Sequence, residues 1–293
     1  MSRLIAKLRA GADGHAGMPW RGPGPGRPNL PLPPDPMPLV SRATLRKRWR
    51  YLGYYGEQVM FCAAWAEIGP FRTTFWSLWD REDGRLLGYT RMRPGAPELT
   101  IEGNRLDLES EAARVSLQIG ESVPVEVVCP SGRGWGWTSK RAGVPLTGRI
   151  EAGDRSWKVE GLGVDDQSAG YHARHTSWSW SAGVGTATDG RQLAWNLTSG
   201  INDPVSGSER AVWIDGQPVE PEPVVFSGLE AVTFLGGDRL AFDFGQGAER
   251  RRHDNFGLIR SDYVHRFGTF TGSLAGIELA EASGVMEEHL AVW

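Results

Sequence analysis

The chain contains Val115-Ser-Leu-Gln-Ile119 followed closely by Val123-Pro-Val-Glu-Val127, and every second residue of both stretches is apolar. Because successive side chains of a β-strand point to opposite faces, this alternation predicts two half-buried strands. Leu240-Ala-Phe-Asp-Phe244 repeats the pattern, and the dipeptides Asp83-Gly84 and Asp189-Gly190 are typical of hairpin turns. No long window carries a helical stripe of apolar residues. We therefore predict a mostly-β protein of antiparallel sandwiches or barrels.

The length of the chain and its prolines predict three parts. A chain of 293 residues exceeds one ordinary core and suits two domains of about 100–150 residues each. Nine of the 19 prolines lie from Pro19 to Pro38, among several glycines, and such a segment is extended and buries little surface. We predict an irregular Pro/Gly-rich arm at residues 1–38, a first β domain at 39–185 and a second at 186–293.

Composition limits the partners and the location of the protein. The net charge of −3 offers no basic field, so we expect no nucleic acid partner. No stretch has the apolar length of a transmembrane helix and the N-terminus lacks an apolar signal core, so we expect a cytoplasmic protein. Cys62 and Cys129 lie in apolar runs, which predicts small buried hydrophobes, although a disulfide stays open. The oligomeric state is left open.

Tryptophan is the unusual residue of this chain, with 13 copies. Its large apolar body and single N–H donor suit both cores and ligand pockets. In the densest stretch Ser177, Ser179 and Ser181 alternate with Trp178 and Trp180. On a strand this alternation gives one aromatic face and one small polar face.

Two histidines, His172 and His175, precede these tryptophans. Residues three apart on a continuous strand face opposite sides and cannot share a metal ion, although a loop would relax this restriction. The histidines have no cysteine nearby to complete a metal site, and the chain has no HExxH motif, phosphate-binding loop or nucleophile elbow. We therefore predict no metal and no cofactor. The histidines either tie the strand entrance by hydrogen bonds or place an imidazole at the mouth of an aromatic pocket.

Polar residues follow the same strands downstream. Asp203 precedes Pro204, where local hydrogen bonding is its usual role, and Glu209-Arg210 reads as an ordinary ion pair. Polar groups gathered near aromatic strands are also typical of a ligand site. We expect His289 and the acids before it to close a barrel end. The predicted ligand-binding residues are Tyr171, Trp178, Trp180, Trp195 and Trp213.

Several motifs resemble the domain of unknown function 2804 family, from about Arg42 to the C-terminus. The resemblance brings no established reaction. Its motifs are Trp49-Arg-Tyr-Leu-Gly53, Tyr171–Trp180, Trp195-Asn-Leu-Thr-Ser-Gly200, Ser208-Glu-Arg-Ala-Val-Trp-Ile-Asp-Gly216, Ile259-Arg-Ser-Asp-Tyr263, Phe267-Gly-Thr-Phe270 and Glu287-Glu-His-Leu-Ala-Val-Trp293.

More distantly, the layout is similar to the two-domain lipocalin-like group that contains the AttH protein and the carotenoid hydratases. This likeness implies two antiparallel lipocalin-like (calycin) β-barrel or sandwich halves. It also implies a histidine–tryptophan element and a downstream aspartate that protonate an isoprenoid alkene, with His175, Trp178 and Asp203 as the nearest counterparts. The chain departs from that pattern, because Arg174 replaces the aspartate before His175 and two residues, not one, separate His175 from Trp178.

Three classes of function stay open. The first is a cofactor-independent enzyme that hydrates, isomerises or cyclises an alkene in a lipophilic, isoprenoid- or lipid-like substrate. Its predicted acid–base pair is His175 and Asp203, with His172 and Glu209 as rivals, since a carboxyl group in an apolar pocket can stay protonated near neutrality. The second is a carrier that holds an elongated apolar molecule unchanged. The third is a structural or partner-binding protein whose tryptophans only fill cores.

Overall fold

A computed structural model describes residues 17–92, 98–255, 257 and 259–293. These residues form antiparallel β-strands and no helix, so the predicted mostly-β fold class is confirmed. Residues 1–16 of the predicted arm lie outside the described residues. Among the residues described, no helix is long and apolar enough to cross a membrane.

The first sheet is built from strands up to residue 170. The strands in this part of the chain are β1 Trp20–Arg21, β2 Val40–Ser41, β3 Thr44–Leu45, β4 Lys47–Tyr55, β5 Val59–Ile68, β6 Phe71–Asp80, β7 Arg85–Arg91, β8 Leu99–Glu102, β9 Arg105–Glu109, β10 Arg114–Ile119, β11 Val125–Ser131, β12 Gly134–Ala152 and β13 Arg155–Gly170. Their order is β7-β6-β5-β4-β13-β12-β10-β9-β8, while β11 pairs with β12 and with β1. β2 and β3 form a separate ribbon.

The second sheet contains every later strand. These strands are β14 His175–Ala187, β15 Gln192–Ser199, β16 Ala211–Ile214, β17 Gln217–Val219, β18 Val224–Ser227, β19 Ala231–Phe234, β20 Arg239–Asn255, β21 Arg260–Leu274 and β22 Ile277–Val292. Their order is β17-β16-β15-β14-β22-β21-β20-β19-β18. Both sheets curl into half-barrels.

Alternating side chains of a single strand pack into two different cores. In β4, Leu52 and Tyr54 pack into a core made only of first-sheet residues, whereas Tyr51 and Tyr55 pack into a core shared by both sheets. The second sheet has its own core, which includes Trp195. A strand that is covered on both faces needs apolar residues at most positions, which explains why β5 starts with six buried residues in succession.

The two cysteines belong to the shared core between the sheets. Both Cys62 and Cys129 are buried and free. Burial raises the pKa of each thiol to about 12, so both stay protonated at neutral pH. They act as small apolar side chains there.

The described part of the arm packs against the first sheet. Trp20, Leu32 and Met37 are buried in a cluster with Trp135 and Tyr171. β1 pairs with β11, and the rest of residues 17–38 is irregular. The arm therefore covers one side of this sheet.

The chain changes sheet between Gly170, the end of β13, and His175, the start of β14. The division near residue 185 that the sequence suggested falls inside β14, which pairs with β22 along its whole length. The tryptophan-rich strand thus belongs to the second sheet, and not to the first. We propose that the two β units meet between Gly170 and His175.

Candidate functional site

A cavity of about 230 Å³ lies between the two sheets. It is larger than a cavity of about 150 Å³, which is enough to bind benzene. First-sheet strands supply one wall, with residues that include Trp49, Tyr51, Ala64, Ala66, Phe75, Lys140 and Asp166. Second-sheet strands and the loop before β16 supply the other, with residues that include Trp178, Trp180, Asn202, Glu209, Arg250, Tyr263, Glu287 and His289.

Strand register brings the second-sheet residues together. Trp178 lies opposite His289 across β14 and β22, and His289 lies opposite Tyr263 across β22 and β21. Two residues further along β14, on the same face, Trp180 lies opposite Glu287. Residues that lie opposite each other share a face of the sheet, so these rows present their side chains to the same cavity.

Three tryptophans of the wall stack on one another. The rings of Trp49 and Trp178 are parallel, with centroids 6.4 Å apart and an interplanar angle of 1°. Trp293 stacks against both, at 6.4 Å from Trp49 and 6.3 Å from Trp178. Flat π-faces of this kind attract both apolar surface and positive charge.

Glu287 is a buried carboxyl group in this wall. Its Oε1 accepts a hydrogen bond from Trp178 Nε1 at 2.9 Å. Burial raises the pKa of Glu287 to about 8, and the negative charge of Asp166 adds to the rise, against the Trp178 hydrogen bond and Lys140. The side chain is therefore protonated at neutral pH and can act as an acid.

His289 and Tyr263 stand next to Glu287. His289 Nδ1 lies 3.8 Å from Glu287 Oε1, and its Nε2 is hydrogen-bonded to Ser261 Oγ at 2.8 Å. Burial lowers the pKa of His289 to about 4, so the imidazole is neutral near pH 7. Tyr263 Oη has no hydrogen-bond partner among the described residues.

A buried charged cluster forms another part of the wall. Lys140 Nζ lies 2.6 Å from Asp166 Oδ1 and 3.5 Å from Glu209 Oε1, and Asn202 Nδ2 donates to Glu209 Oε2 at 2.9 Å. Burial raises the pKa of both carboxyl groups, against the charge of Lys140. Burial alone would lower the pKa of Lys140, but the two acids outweigh it and the pKa is raised.

His172 lies beside this cluster, between β13 and β14. Its ring centroid is 5.2 Å from that of Trp49, and its backbone carbonyl accepts a hydrogen bond from Lys47 Nζ at 2.8 Å. The ring packs against two glycines. A Cβ at Gly136 would lie 2.7 Å from His172 Cε1, and a Cβ at Gly170 would lie 3.1 Å from His172 Nε2. Burial, with the charges of Lys47 and Lys140, lowers the pKa of His172 to about 3.

The structure places His175 and Asp203 outside the cavity. Both line a different pocket of about 460 Å³ instead. His175 starts β14 and is exposed, on the face of the strand opposite to Trp178. Asp203 Oδ2 accepts the Gly200 N–H at 2.8 Å, the local role expected before a proline. Strand parity thus separates His175 from the tryptophan face, and Asp203 lies in the loop between β15 and β16.

The other predicted residues divide between the cavity and the cores. Trp178, Trp180 and Glu209 line the cavity. Glu209 pairs with Lys140, and not with its neighbour Arg210 as the sequence suggested. The remaining three aromatic residues pack elsewhere, since Tyr171 Oη donates to Pro38 O, Trp195 Nε1 to Ser181 Oγ and Trp213 Nε1 to Val123 O.

Sequence reasoning missed Lys140, Asp166 and Glu287 as site residues. Glu287 and His289 lie in the segment expected to close a barrel end, but they face the cavity. A signal was present for Lys140, because the chain has only four lysines and its basic positions are otherwise arginine. Within the described ranges, no group of three or more His, Cys, Asp and Glu residues could hold a metal ion.

The fold consists of two antiparallel lipocalin-like β halves, with the cavity between them. The chain is similar to the crystal structure of an AttH-like protein from Nitrosomonas europaea, with a TM-score of 0.51 and 13% identity over 88% of this chain and 98% of that one. It is also similar to kievitone hydratase from Nectria haematococca, with a TM-score of 0.47 and 8% identity over 86% of this chain and 89% of that one.

Residues 98–293 match the model of the family described as domain of unknown function 2804. The match covers well over half of the chain, and the protein belongs to this family. A comparison with curated protein sequences found no match.

Proposed function

We propose that this protein binds a small apolar molecule between its two sheets and protonates an alkene in it, with Glu287 as the acid. The observation that carries the proposal is the buried carboxyl group of Glu287 in the wall of a largely aromatic cavity. A carboxyl group held neutral in such surroundings can donate its proton near neutral pH.

The proposed step adds the carboxyl proton of Glu287 to one carbon of the alkene and leaves a carbocation at the other. The π-faces of Trp49 and Trp178 stabilise this cation. Loss of a proton from a neighbouring carbon gives an isomer, whereas capture of water followed by proton loss gives an alcohol. Glu287 or the neutral His289, 3.8 Å away, accepts the released proton.

Carriage of an apolar molecule without turnover is the second candidate. It is favoured by the position of His175 and Asp203, the acid–base pair expected from the hydratase resemblance, in a different pocket outside the cavity. The two candidates share the cavity and differ only in the role of Glu287.

Deuterium incorporation separates them. We expect the wild-type protein, incubated in D2O with myrcene, farnesene and other isoprenoid alkenes, to place deuterium on carbon, as seen by mass spectrometry. Glu287→Gln should lower the rate by about 10²–10⁴-fold and keep binding. Glu288→Gln is the matched control, because Glu288 is exposed beside the buried Glu287.

Two outcomes count against the proposal. Saturable binding without deuterium in any alkene would leave the carrier function alone. An absence of binding across the set would contradict both candidates.

A further inference from the structure

We propose that the ligand of this cavity carries a neutral hydroxyl group, as an alcohol or a phenol does, and that Lys140, Glu209 and Asn202 bind it. The inference rests on the proposed function only in that the cavity holds a small molecule. It is independent of the proton transfer by Glu287.

The hydrogen-bonding groups at this end of the cavity suit a hydroxyl. An ammonium group has three N–H donors, and the two carboxyl groups near Lys140 Nζ, Asp166 at 2.6 Å and Glu209 at 3.5 Å, occupy at most two of them. The third donor and the free lone pairs of the carboxylates remain for a ligand. A hydroxyl group both donates and accepts, so it can satisfy both kinds of group at once.

The charge of this end disfavours an anionic ligand. Two carboxyl groups surround one ammonium group, so the cluster carries no net positive charge as long as one of the two is ionised. The three arginines of the wall have partners elsewhere. Half-buried Arg250 donates Nη1 to Trp76 O at 2.7 Å, Arg252 pairs with Asp254 and Arg260 with Asp262. A carboxylate or phosphate would therefore meet repulsion at the cluster, without a free cation beside it.

Unmet polar groups next to the cluster provide a second observation. Ser168 is 3% exposed and His172 1% exposed, and neither Ser168 Oγ nor the two ring nitrogens of His172 have hydrogen-bond partners among the described residues. Ser168 lies two positions from Asp166 on β13, on the same face. Neither residue lines the cavity itself, but buried polar groups are almost always paired, so a polar group that reaches past the cluster, and not a hydrocarbon chain, would satisfy them.

The test compares three probes of two isoprene units each by isothermal titration calorimetry at neutral pH. These are geraniol, which is an alcohol, geranic acid, which is the corresponding carboxylate, and myrcene, which is a hydrocarbon. We expect geraniol to bind about 10–100-fold more tightly than myrcene, the range for a hydrogen bond to a charged group. Geranic acid should bind more weakly than geraniol.

Glu209→Gln tests the cluster directly, because it removes one negative charge and keeps the shape of the side chain. We expect the preference for geraniol over myrcene to fall about tenfold and the binding of geranic acid to improve. Glu288→Gln, an exposed position, removes the same charge outside the cavity and should leave all three affinities unchanged.

The outcomes separate this inference from the proposed function. Equal binding of geraniol and myrcene by the wild-type protein, or tighter binding of geranic acid, would overturn the hydroxyl site and leave the cavity as an apolar binding site. If none of the three probes binds, the binding proposal fails and this inference fails with it.

Discussion

Replacing Glu287 by glutamine should make the folded protein less sensitive to rising pH. Glutamine has the shape of the protonated glutamic acid and retains an oxygen that can accept the N–H of Trp178, which lies 2.9 Å from Glu287 Oε1. It cannot ionise. The variant therefore isolates the free energy that the buried carboxyl group contributes through its proton.

The magnitude follows from the two pKa values of this group. The ordinary value is 4.5, and burial raises the folded value to about 8. Below pH 4.5 both states hold the proton. Between the two values the unfolded chain loses it and the folded protein keeps it, so stability falls as pH rises. The gap, at about 1.4 kcal/mol per pH unit, gives a loss of about 5 kcal/mol.

Urea unfolding of both proteins over this pH range measures the difference. We expect the stability of the wild-type protein to fall, relative to Glu287→Gln, by up to about 5 kcal/mol between about pH 5 and about pH 8. Glu288→Gln should follow the wild type, because this neighbouring carboxyl group is exposed. If the curves of wild type and Glu287→Gln stay parallel, Glu287 is ionised in the folded protein and the proposed acid is lost.

Two further changes test the packing around the cavity. In Gly170→Ala the new Cβ would lie 2.4 Å from the carbonyl oxygen of Trp135. We therefore expect the free energy of unfolding, measured in urea, to fall by about 1–3 kcal/mol. An unchanged unfolding midpoint would refute this close approach. In Arg21→Ala the carbonyls of Ser208 and Arg210, which flank Glu209, lose a shared donor. We expect the free energy of unfolding to fall by about 1–3 kcal/mol and proteases to cleave the arm faster. A cleavage pattern like that of the wild type would contradict a stabilising role of Arg21.

The strand pattern could be predicted from the sequence because it depends on neighbours along the chain. The alternation at residues 115–119 and 240–244 appears as β10 and the start of β20, and the serine–tryptophan alternation sorts Trp178 to the cavity. The change of sheet was harder to locate. A strand that follows β13 after four residues carries no local sign that it pairs with β22 at the far end of the chain.

The site could be predicted only in part, since it depends on which strands become neighbours. Trp178 and Trp180 were expected in a pocket from their composition and periodicity, and both line the cavity. Lys140 and Asp166 are opposite each other only through the pairing of β12 with β13. His175 was the nearest counterpart of the histidine in the hydratase resemblance, but its spacing of three residues from Trp178 places it on the other face of β14.

The position of the cavity follows from the sizes of the side chains on the two facing sheets. Each half-barrel fills its own interior with large residues, such as Leu52 and Phe61 in the first and Trp195 in the second. On the face between the sheets, β5 places the small side chains of Ala64 and Ala66 in the cavity wall, together with Trp65 and Ile68. Two faces that both carried large residues would close this space, so the small residues of β5 leave room for a ligand there. A site bounded by both sheets also needs both halves of the chain to be folded, and a variant that separates the halves should therefore lose ligand binding.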